Sequence, residues 1–283
     1  MIHLDHFAPL ADQYDGFILD LWGVIHDGVK LYPGAAHCLA ELRARHRRIV
    51  FLSNAPRRAA PVIAMLAEFG IGEALYDGVI TSGEATHAML ERRPDAWWRG
   101  LGTRLYHLGP ERDRNVFASL GLSVVYAPSE ASFVLNTGPD DHASPTDPAA
   151  FDAILQACRA SRLPMVCANP DLEVIRDGQR VICAGTLAQR YAGLGGEVRS
   201  LGKPDKLIYG PTLERLGVAP ARVLAVGDAL RTDIAGAAAA GLASAWVLGG
   251  IHETHLGEDR TRIEAEAATA GLAPIAVLPR FIW

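Results

Sequence analysis

Apolar runs of strand length punctuate the chain, and several of them end on polar side chains. Phe17-Ile18-Leu19 runs into Asp20, Val50-Phe51-Leu52 into Ser53 and Asn54, and Leu224-Ala225-Val226 into Gly227 and Asp228. Between such runs the apolar residues fall at helical spacing. A helix opened by Pro33 and Gly34 turns Leu39 and Leu42 inward, and another bearing Val62, Ile63, Met65, Leu66 and Phe69 stops at Gly70. Gly78 to Thr81 then reads as a strand and Glu84 to Arg92 as a helix. Strands separated by helices of this length run parallel through right-handed crossovers. The N-terminal third is therefore predicted as a doubly wound, Rossmann-like α/β sheet with helices on both faces.

The pattern loosens at Arg93 to Gly102, where Pro94, two glycines, Trp97, Trp98 and several arginines have the composition of a junction between modules. Beyond it, strands are expected near Arg104 to Leu108, Ser123 to Tyr126, Phe133 to Asn136 and Met165 to Ala168, with a helix capped by Asp147 and begun by Pro148. The first style resumes with a helix from Asp205 to Leu216, a strand from Val223 to Val226, a helix from Asp233 to Ala240 and a strand from Ser244 to Leu248. The expected organisation is a split core over 1–92 and 198–283 carrying an inserted α/β domain over 93–197. Gly193 to Gly196 lacks the spacing and the Lys-Ser/Thr of a phosphate-binding loop and reads as a helix stop.

Composition narrows the function classes. With 283 residues, 49% of them hydrophobic and 21% charged, the chain is globular and long enough to bury a substantial core. Its 27 Lys+Arg against 32 Asp+Glu give a net charge of -5, which offers no electrostatic case for nucleic acid or an anionic membrane. Cys38, Cys158, Cys167 and Cys183 form no Cys-x-x-Cys pair and read as reduced thiols. Met1 to Gln13 lacks the segments of a secretory signal, and the longest apolar stretch, Ala235 to Ile251, suits a buried helix and strand better than a membrane span. A cytoplasmic location is the expectation.

The carboxyl ends of strands in an open parallel sheet lie along one edge, and ligands bind in the crevice outside them. Asp20, Ser53, Asn54 and Asp228 are expected to converge there. Carboxylates gathered in a concave site repel one another unless a cation compensates, and hard oxygen ligands suit Mg²⁺, which keeps waters and accepts phosphate oxygens. A Mg²⁺ and phosphate site follows. Lysine usage sharpens it, because only Lys30, Lys203 and Lys206 occur among the 27 cations. Lys203, in Gly202-Lys203-Pro204, reads as a compact point charge required beside a phosphoryl group and a carboxylate, whereas Lys206 is expected at the surface.

Four segments in order, Asp20-Leu21-Trp22-Gly23-Val24, Leu52-Ser53-Asn54, Gly202-Lys203-Pro204 and Gly227-Asp228-Ala229-Leu230-Arg231-Thr232-Asp233, resemble the motifs of the haloacid dehalogenase (HAD) superfamily. The resemblance is to the subclass of NagD-type and 4-nitrophenylphosphatase-like enzymes and covers nearly the whole chain. Asn169-Pro170-Asp171 resembles an element near the end of that subclass's large cap. The resemblance implies a Mg²⁺-dependent phosphatase acting on a small phosphorylated metabolite. Asp20 would then be the nucleophile that forms an aspartyl-phosphate, which water hydrolyses. Ser53 and Asn54 would hydrogen-bond the phosphoryl oxygens and Lys203 would neutralise charge. Asp20, Asp228 and the Trp22 backbone carbonyl would hold Mg²⁺, with Asp233 supporting its shell. A homodimer through the cap is also implied.

Phosphatases of this superfamily usually carry a second Asp two residues after the nucleophile, and this chain has Trp22 there. An indole cannot transfer a proton to a leaving oxygen, and losing positioned acid-base help costs about 10² to 10⁴-fold in rate. The candidate replacements are His26, which ranks first, together with Asp27 and the cap residues Asp171 and His107. An alternative function follows, a HAD scaffold that binds a phosphorylated metabolite through Ser53, Asn54 and Lys203 with little or no turnover. A third is cleavage of carbon-halogen or carbon-phosphorus bonds, since members with those chemistries also lack the second Asp, although the intact metal motif disfavours dehalogenation. His252 and His255 have no third ligand nearby and read as a surface pair rather than a zinc site. Arg92, Arg93, Arg99 and Arg104 around Trp97 and Trp98 read as a solvated hinge.

Overall fold

The computed structural model describes residues 1–140, 146–250 and 259–283. The pair His252 and His255 lies outside the described residues. Four strands open the chain: β1 (Ile2–His3), β2 (Gly16–Leu19), β3 (Arg48–Ser53) and β4 (Gly78–Thr81). The middle block holds β5 (Arg104–Leu108), β6 (Ser123–Val125), β7 (Phe133–Asn136), β8 (Met165–Cys167), β9 (Glu173–Arg176), β10 (Gln179–Ile182) and β11 (Val198–Ser200). Last come β12 (Val223–Gly227), β13 (Ala243–Val247) and β14 (Ala276–Leu278). The first and last groups join in one seven-stranded sheet, ordered β1-β14-β13-β12-β2-β3-β4 and parallel throughout. The α/β architecture expected from the sequence is present, with β1 and β14 as additions.

Each central strand is buried on both faces. Phe17 and Leu19 of β2 and Ile49 and Phe51 of β3 enter one apolar cluster with Leu39 and Leu42 of helix Ala35–Ala44 and Val62 and Leu66 of helix Ala59–Glu68. Ile18, Val50 and Leu52 join Tyr209, Leu216 and Ala237 on the opposite face. Side chains alternate faces along a strand, so covering both faces makes the sequence an unbroken apolar run. Each such side chain contributes about 1.5–3 kcal/mol when fully buried.

Strand order reverses between β2 and β12. The chain winds outward from β2 through β3 to β4, then returns at β12 and winds the other way through β13 to β14. This switch point opens a crevice at the carboxyl edge. It also sets Asp20 beside the end of β12: Leu19 pairs with Val226, and the Asp20 N–H donates to the Val226 carbonyl at 2.9 Å.

The middle block forms a second parallel sheet, ordered β11-β8-β7-β5-β6, and a separate antiparallel hairpin, β9 with β10. The expected end of the insertion at residue 197 falls just short of β11, which pairs with β8 and so belongs to this sheet. The segment read as a loose junction holds helix Ala96–Gly100, capped by the Asp95 carboxylate, and its Trp98 packs with Leu101, Leu105 and Phe133. Trp97 lies under the Arg199 guanidinium and donates to Glu197 Oε1 at 2.6 Å. Leu90 and Met89, from helix Ser82–Arg92 before the junction, join the same cluster as Trp98, so aromatic packing spans the junction.

Among the described residues no helix is long and apolar enough to cross a membrane. The four cysteines are free and buried. Burial pushes the Cys158 and Cys167 thiols up to about 11, and a thiol that is both buried and protonated is unreactive. The native protein is therefore expected to resist a thiol-specific reagent until denaturant is added; rapid labelling of the folded chain would contradict this.

Candidate active site at the carboxyl edge

Asp20 follows β2, Asp228 follows β12, and Asp233 sits in the wide π-type turn Leu230–Ile234 that starts the next helix. Each presents an oxygen within 4.8 Å of the other two. Lys203 reaches this cluster from the loop after β11. Its ammonium donates to Asp20 Oδ1 at 2.7 Å and to Asp233 Oδ1 at 2.6 Å, and the residue is only 2% exposed. Asp233 Oδ2 meanwhile accepts from the Ala229 N–H at 3.1 Å, which fixes that carboxylate in the turn.

Burial and the Asp233 charge push the Asp20 carboxyl above its ordinary range, against the pull of Lys203. Burial works against the Lys203 charge too, yet Asp20, Asp233 and Asp171 outweigh it and keep the ammonium protonated well past its ordinary range. Lys203 contacts two of the three converging buried carboxylates, and the hard oxygens of the set fit a divalent cation. The backbone makes room for this arrangement. Gly23 has φ +82°, and a Cβ built on it would stand 2.0 Å from Asp228 Oδ2. Gly23→Ala is expected to displace that carboxylate and weaken divalent-ion affinity roughly 10- to 100-fold, as supporting-residue changes at metal sites do. Thermal melts over a metal titration would show it; an unchanged midpoint response would contradict it.

Ser53 and Asn54 arrive at the same edge from β3, and both are buried. The Ser53 hydroxyl accepts from the Ala55 N–H at 3.2 Å, which leaves its own hydrogen to donate. The Asn54 side chain is used differently from the expectation that it would bind phosphoryl oxygens. Its oxygen accepts from the Lys203 N–H at 2.8 Å, and its NH₂ donates to the Lys203 carbonyl at 3.1 Å and to Asp171 Oδ1 at 2.9 Å. It clamps the lysine loop and a loop of the inserted domain to the end of β3.

The Trp22 indole is engaged by the inserted domain. Its Nε1–H donates to the Ile175 carbonyl in β9 at 2.8 Å. The indole also lies against Gly28, where a Cβ would approach it to 2.2 Å. His26, ranked first as the replacement acid-base group, is committed elsewhere. Its Nδ1 accepts from the Gly28 N–H at 2.9 Å, its ring contacts Trp22 and Phe69, and burial pushes its pKa down to about 4. Asp27 Oδ1 accepts from the Val29 and Lys30 N–H groups as a turn cap. His107 Nε2 bonds Thr137 Oγ1 at 2.9 Å, and burial pushes this ring down to about 4 as well. Of the four candidates, Asp171 alone is held to the lysine loop, through Asn54. Lys206 is exposed, as expected.

A cavity of about 550 Å³ separates the core from the inserted domain. Asp20, Ser53, Trp22, Arg57 and Met65 line it from the core, and Thr137, Asp171, Val174 and Val181 from the insertion. Arg57 Nε lies 3.3 Å from the buried Asp113 carboxylate. The hairpin that walls this cavity was not anticipated. Its signal was present: Asp177-Gly178 between Val174-Ile175 and Val181-Ile182 is a two-residue hairpin turn, and both turn residues have positive φ, 48° and 74°.

Residues 17–123 match the family model of haloacid dehalogenase-like hydrolases, and residues 200–277 match the HAD-hydrolase-like model. Rat (Rattus norvegicus) chronophin is 30% identical over 242 residues, spanning 80% of this chain and 75% of chronophin. The D-glycerol 3-phosphate phosphatase of Mycobacterium tuberculosis is 29% identical over 279 residues, spanning 94% and 75% respectively. Among solved structures, a haloacid dehalogenase-like hydrolase from Brucella suis superposes with a TM-score of 0.84 at 32% identity, covering 99% of this chain and all of that one. A 4-nitrophenylphosphatase from Thermotoga maritima superposes with a TM-score of 0.70 at 26% identity, covering 96% of each chain. With its core sheet, its insertion and these matches, the chain belongs to the haloacid dehalogenase-like hydrolases, among relatives that include phosphatases.

Proposed function

We propose that the chain is a Mg²⁺-dependent phosphatase that hydrolyses a small phosphate monoester through an aspartyl-phosphate on Asp20. The observation that carries this reading is the Lys203 ammonium bridging Asp20 and Asp233 beside Asp228, where Asp20 lines a cavity of about 550 Å³. The phosphatases among the relatives support the reaction class.

An Asp20 carboxylate oxygen attacks phosphorus while the ester P–O bond breaks with its electron pair going to the leaving oxygen. Water then attacks the same phosphorus, and the bond to Asp20 breaks to restore the carboxylate. Lys203 stays protonated throughout, offsetting charge on Asp20 and on the phosphoryl oxygens, to which the Ser53 hydroxyl donates. Asn54 acts through its clamp on the Lys203 backbone. Asp20, Asp228 and the Trp22 carbonyl would hold Mg²⁺, with Asp233 bracing the set; when bound, the ion supplies charge neutralisation to phosphate and carboxylates. Most of the rate then comes from positioning and charge stabilisation, as in phosphoryl transfer generally.

The test is release of inorganic phosphate from a panel of phosphorylated metabolites and 4-nitrophenyl phosphate, with Mg²⁺ and with chelator. Mg²⁺-dependent release that chelator abolishes is expected. Esters that bind but are never cleaved, at any metal concentration, would overturn the reading.

A further inference from the structure

With Trp22 on the nucleophile loop, a proton for the leaving oxygen must come from another segment. Asp20, Ser53 and Lys203 take the phosphoryl group from the core side. In-line attack by Asp20 therefore turns the leaving oxygen toward the cavity and the inserted domain. We propose that Asp171, carried there by the inserted domain, protonates the leaving alcohol and then accepts a proton from the attacking water, and that the Trp22 indole is the positioning residue that keeps the Asp171 segment over the site. This rests on the phosphatase reading above.

The segment is tied to the core at three points. Asn54 Nδ2 donates to Asp171 Oδ1 at 2.9 Å, and the same side chain grips the backbone of Lys203, whose ammonium touches Asp20. Arg231, in the motif that carries Asp228 and Asp233, donates to the Pro170 carbonyl. Trp22 Nε1–H donates to the Ile175 carbonyl, four residues beyond Asp171. From the insertion's own side, the Gly185 N–H donates to the Asp171 carbonyl at 3.0 Å. A Cβ at residue 185 would come within 2.4 Å of that oxygen, so helix Ala184–Gly193 starts directly against the segment.

Other carboxyls on the cavity wall are placed differently. Asp113 lies beside Arg57, while Asp140 follows β7 and Asp177 is at the hairpin turn. The groups around Asp171 are Lys203, Asn54, Asp233, Arg231 and Asp20, with the Cys183 and Cys167 thiols held neutral by burial. Burial raises the Asp171 carboxyl above its ordinary value, against the pull of Lys203 and of the Asn54 hydrogen bond. A carboxyl held in that balance suits a group that must carry a proton and still release it.

The step balances. As the Asp20 oxygen bonds to phosphorus, the P–O(alcohol) pair goes to the leaving oxygen, and the Asp171 proton joins it, giving a neutral alcohol and an Asp171 carboxylate. In the second half a water oxygen bonds to phosphorus, its proton passes to Asp171, and the P–O(Asp20) pair returns to Asp20.

Leaving-group chemistry tests this with the whole enzyme and Mg²⁺. 4-Nitrophenolate departs without a proton, whereas the alkoxide of glycerol 3-phosphate needs one. Because loss of the base also slows the second half, which both esters share, the readout is leaving-group release in a single turnover: Asp171→Asn is expected to slow release of glycerol by about 10²- to 10³-fold and of 4-nitrophenolate by less than about tenfold. The second ester thus certifies that the variant is folded. Asp171→Glu is expected to recover about tenfold of the alkyl-ester rate. Trp22→Phe, which keeps a ring and loses the N–H donor, is expected to show the same bias toward the aryl ester at about a tenfold cost. An equal fall in the two single-turnover release rates, or no fall in either, would overturn the assignment while leaving the phosphatase reading in place. No phosphate from either ester with the parent enzyme would overturn that reading and this one with it.

Discussion

Asp20→Asn is expected to abolish phosphate release without loosening the fold. The amide matches the carboxylate in size, and its oxygen can still accept from the Leu21 N–H, which bonds Asp20 Oδ1 at 2.8 Å. It cannot form the covalent bond to phosphorus. Removing a nucleophile leaves only binding and positioning, a loss on the order of 10⁴-fold or more. Stability is expected to move the other way. Asp20 is desolvated and repelled by Asp233, and both effects disfavour its charge. A neutral amide escapes that repulsion, and Lys203 keeps Asp233 as a partner at 2.6 Å. In chelator the melting midpoint is therefore expected to equal or exceed the parent's. Added Mg²⁺ reverses the ranking, because a ligand at 100 times its Kd stabilises by about 2.7 kcal/mol and the variant offers one anionic oxygen fewer. Phosphate assays with paired melts check all three points; turnover within tenfold of the parent would remove Asp20 from the nucleophile's place.

The residues of this cluster were legible because their signal is local. An apolar run that stops on Asp20, on Ser53 and Asn54, or on Gly227 and Asp228 marks a strand leaving the core, and a parallel sheet sends all such exits to one edge. Lys203 was legible through scarcity, since nearly every other cation is Arg. What Asn54 and Trp22 do was not legible, because their partners are set by tertiary contact. Asn54 meets Lys203 and Asp171, and Trp22 meets Ile175, all more than a hundred residues away in the chain. His26 misled for the same reason, as nothing in its own identity tells that the Gly28 N–H already occupies Nδ1. Strands β1 and β14, two and three residues long, are too short to display a period. The hairpin was missed although its turn was spelled out, because its strands are only partly buried and alternate weakly.

Lys203→Met is expected to cost both turnover and stability, and the stability loss is expected to grow with pH. The ammonium is almost wholly buried, 2.7 Å from one carboxylate and 2.6 Å from another. Removing one partner of a buried pair typically costs about 3–5 kcal/mol, because the remaining charge is left uncompensated. For a chain of this size that corresponds to a fall of roughly 10 °C in Tm. The direction with pH follows from the carboxylates left behind. Burial and Asp233 already raise the Asp20 carboxyl above the ordinary Asp value of 3.8, and the variant loses the lysine that opposes this rise. A carboxyl whose folded-state pKa is raised ionises first in the unfolded chain, so rising pH pulls the equilibrium toward unfolding. The deficit is expected to be small below the ordinary Asp value, to grow above it, and to level off once the pH passes the raised folded-state value. Divalent cation is expected to recover part of it, since the ion binds the folded cluster and replaces the missing positive charge. Phosphate release falls by about 10³-fold even with metal, because the group that offsets charge on the phosphoryl oxygens is gone. Melts across a pH series, in chelator and in Mg²⁺, separate this from a packing effect: a deficit that stays constant with pH would mean that Lys203 fills space at this site rather than balancing its carboxylates.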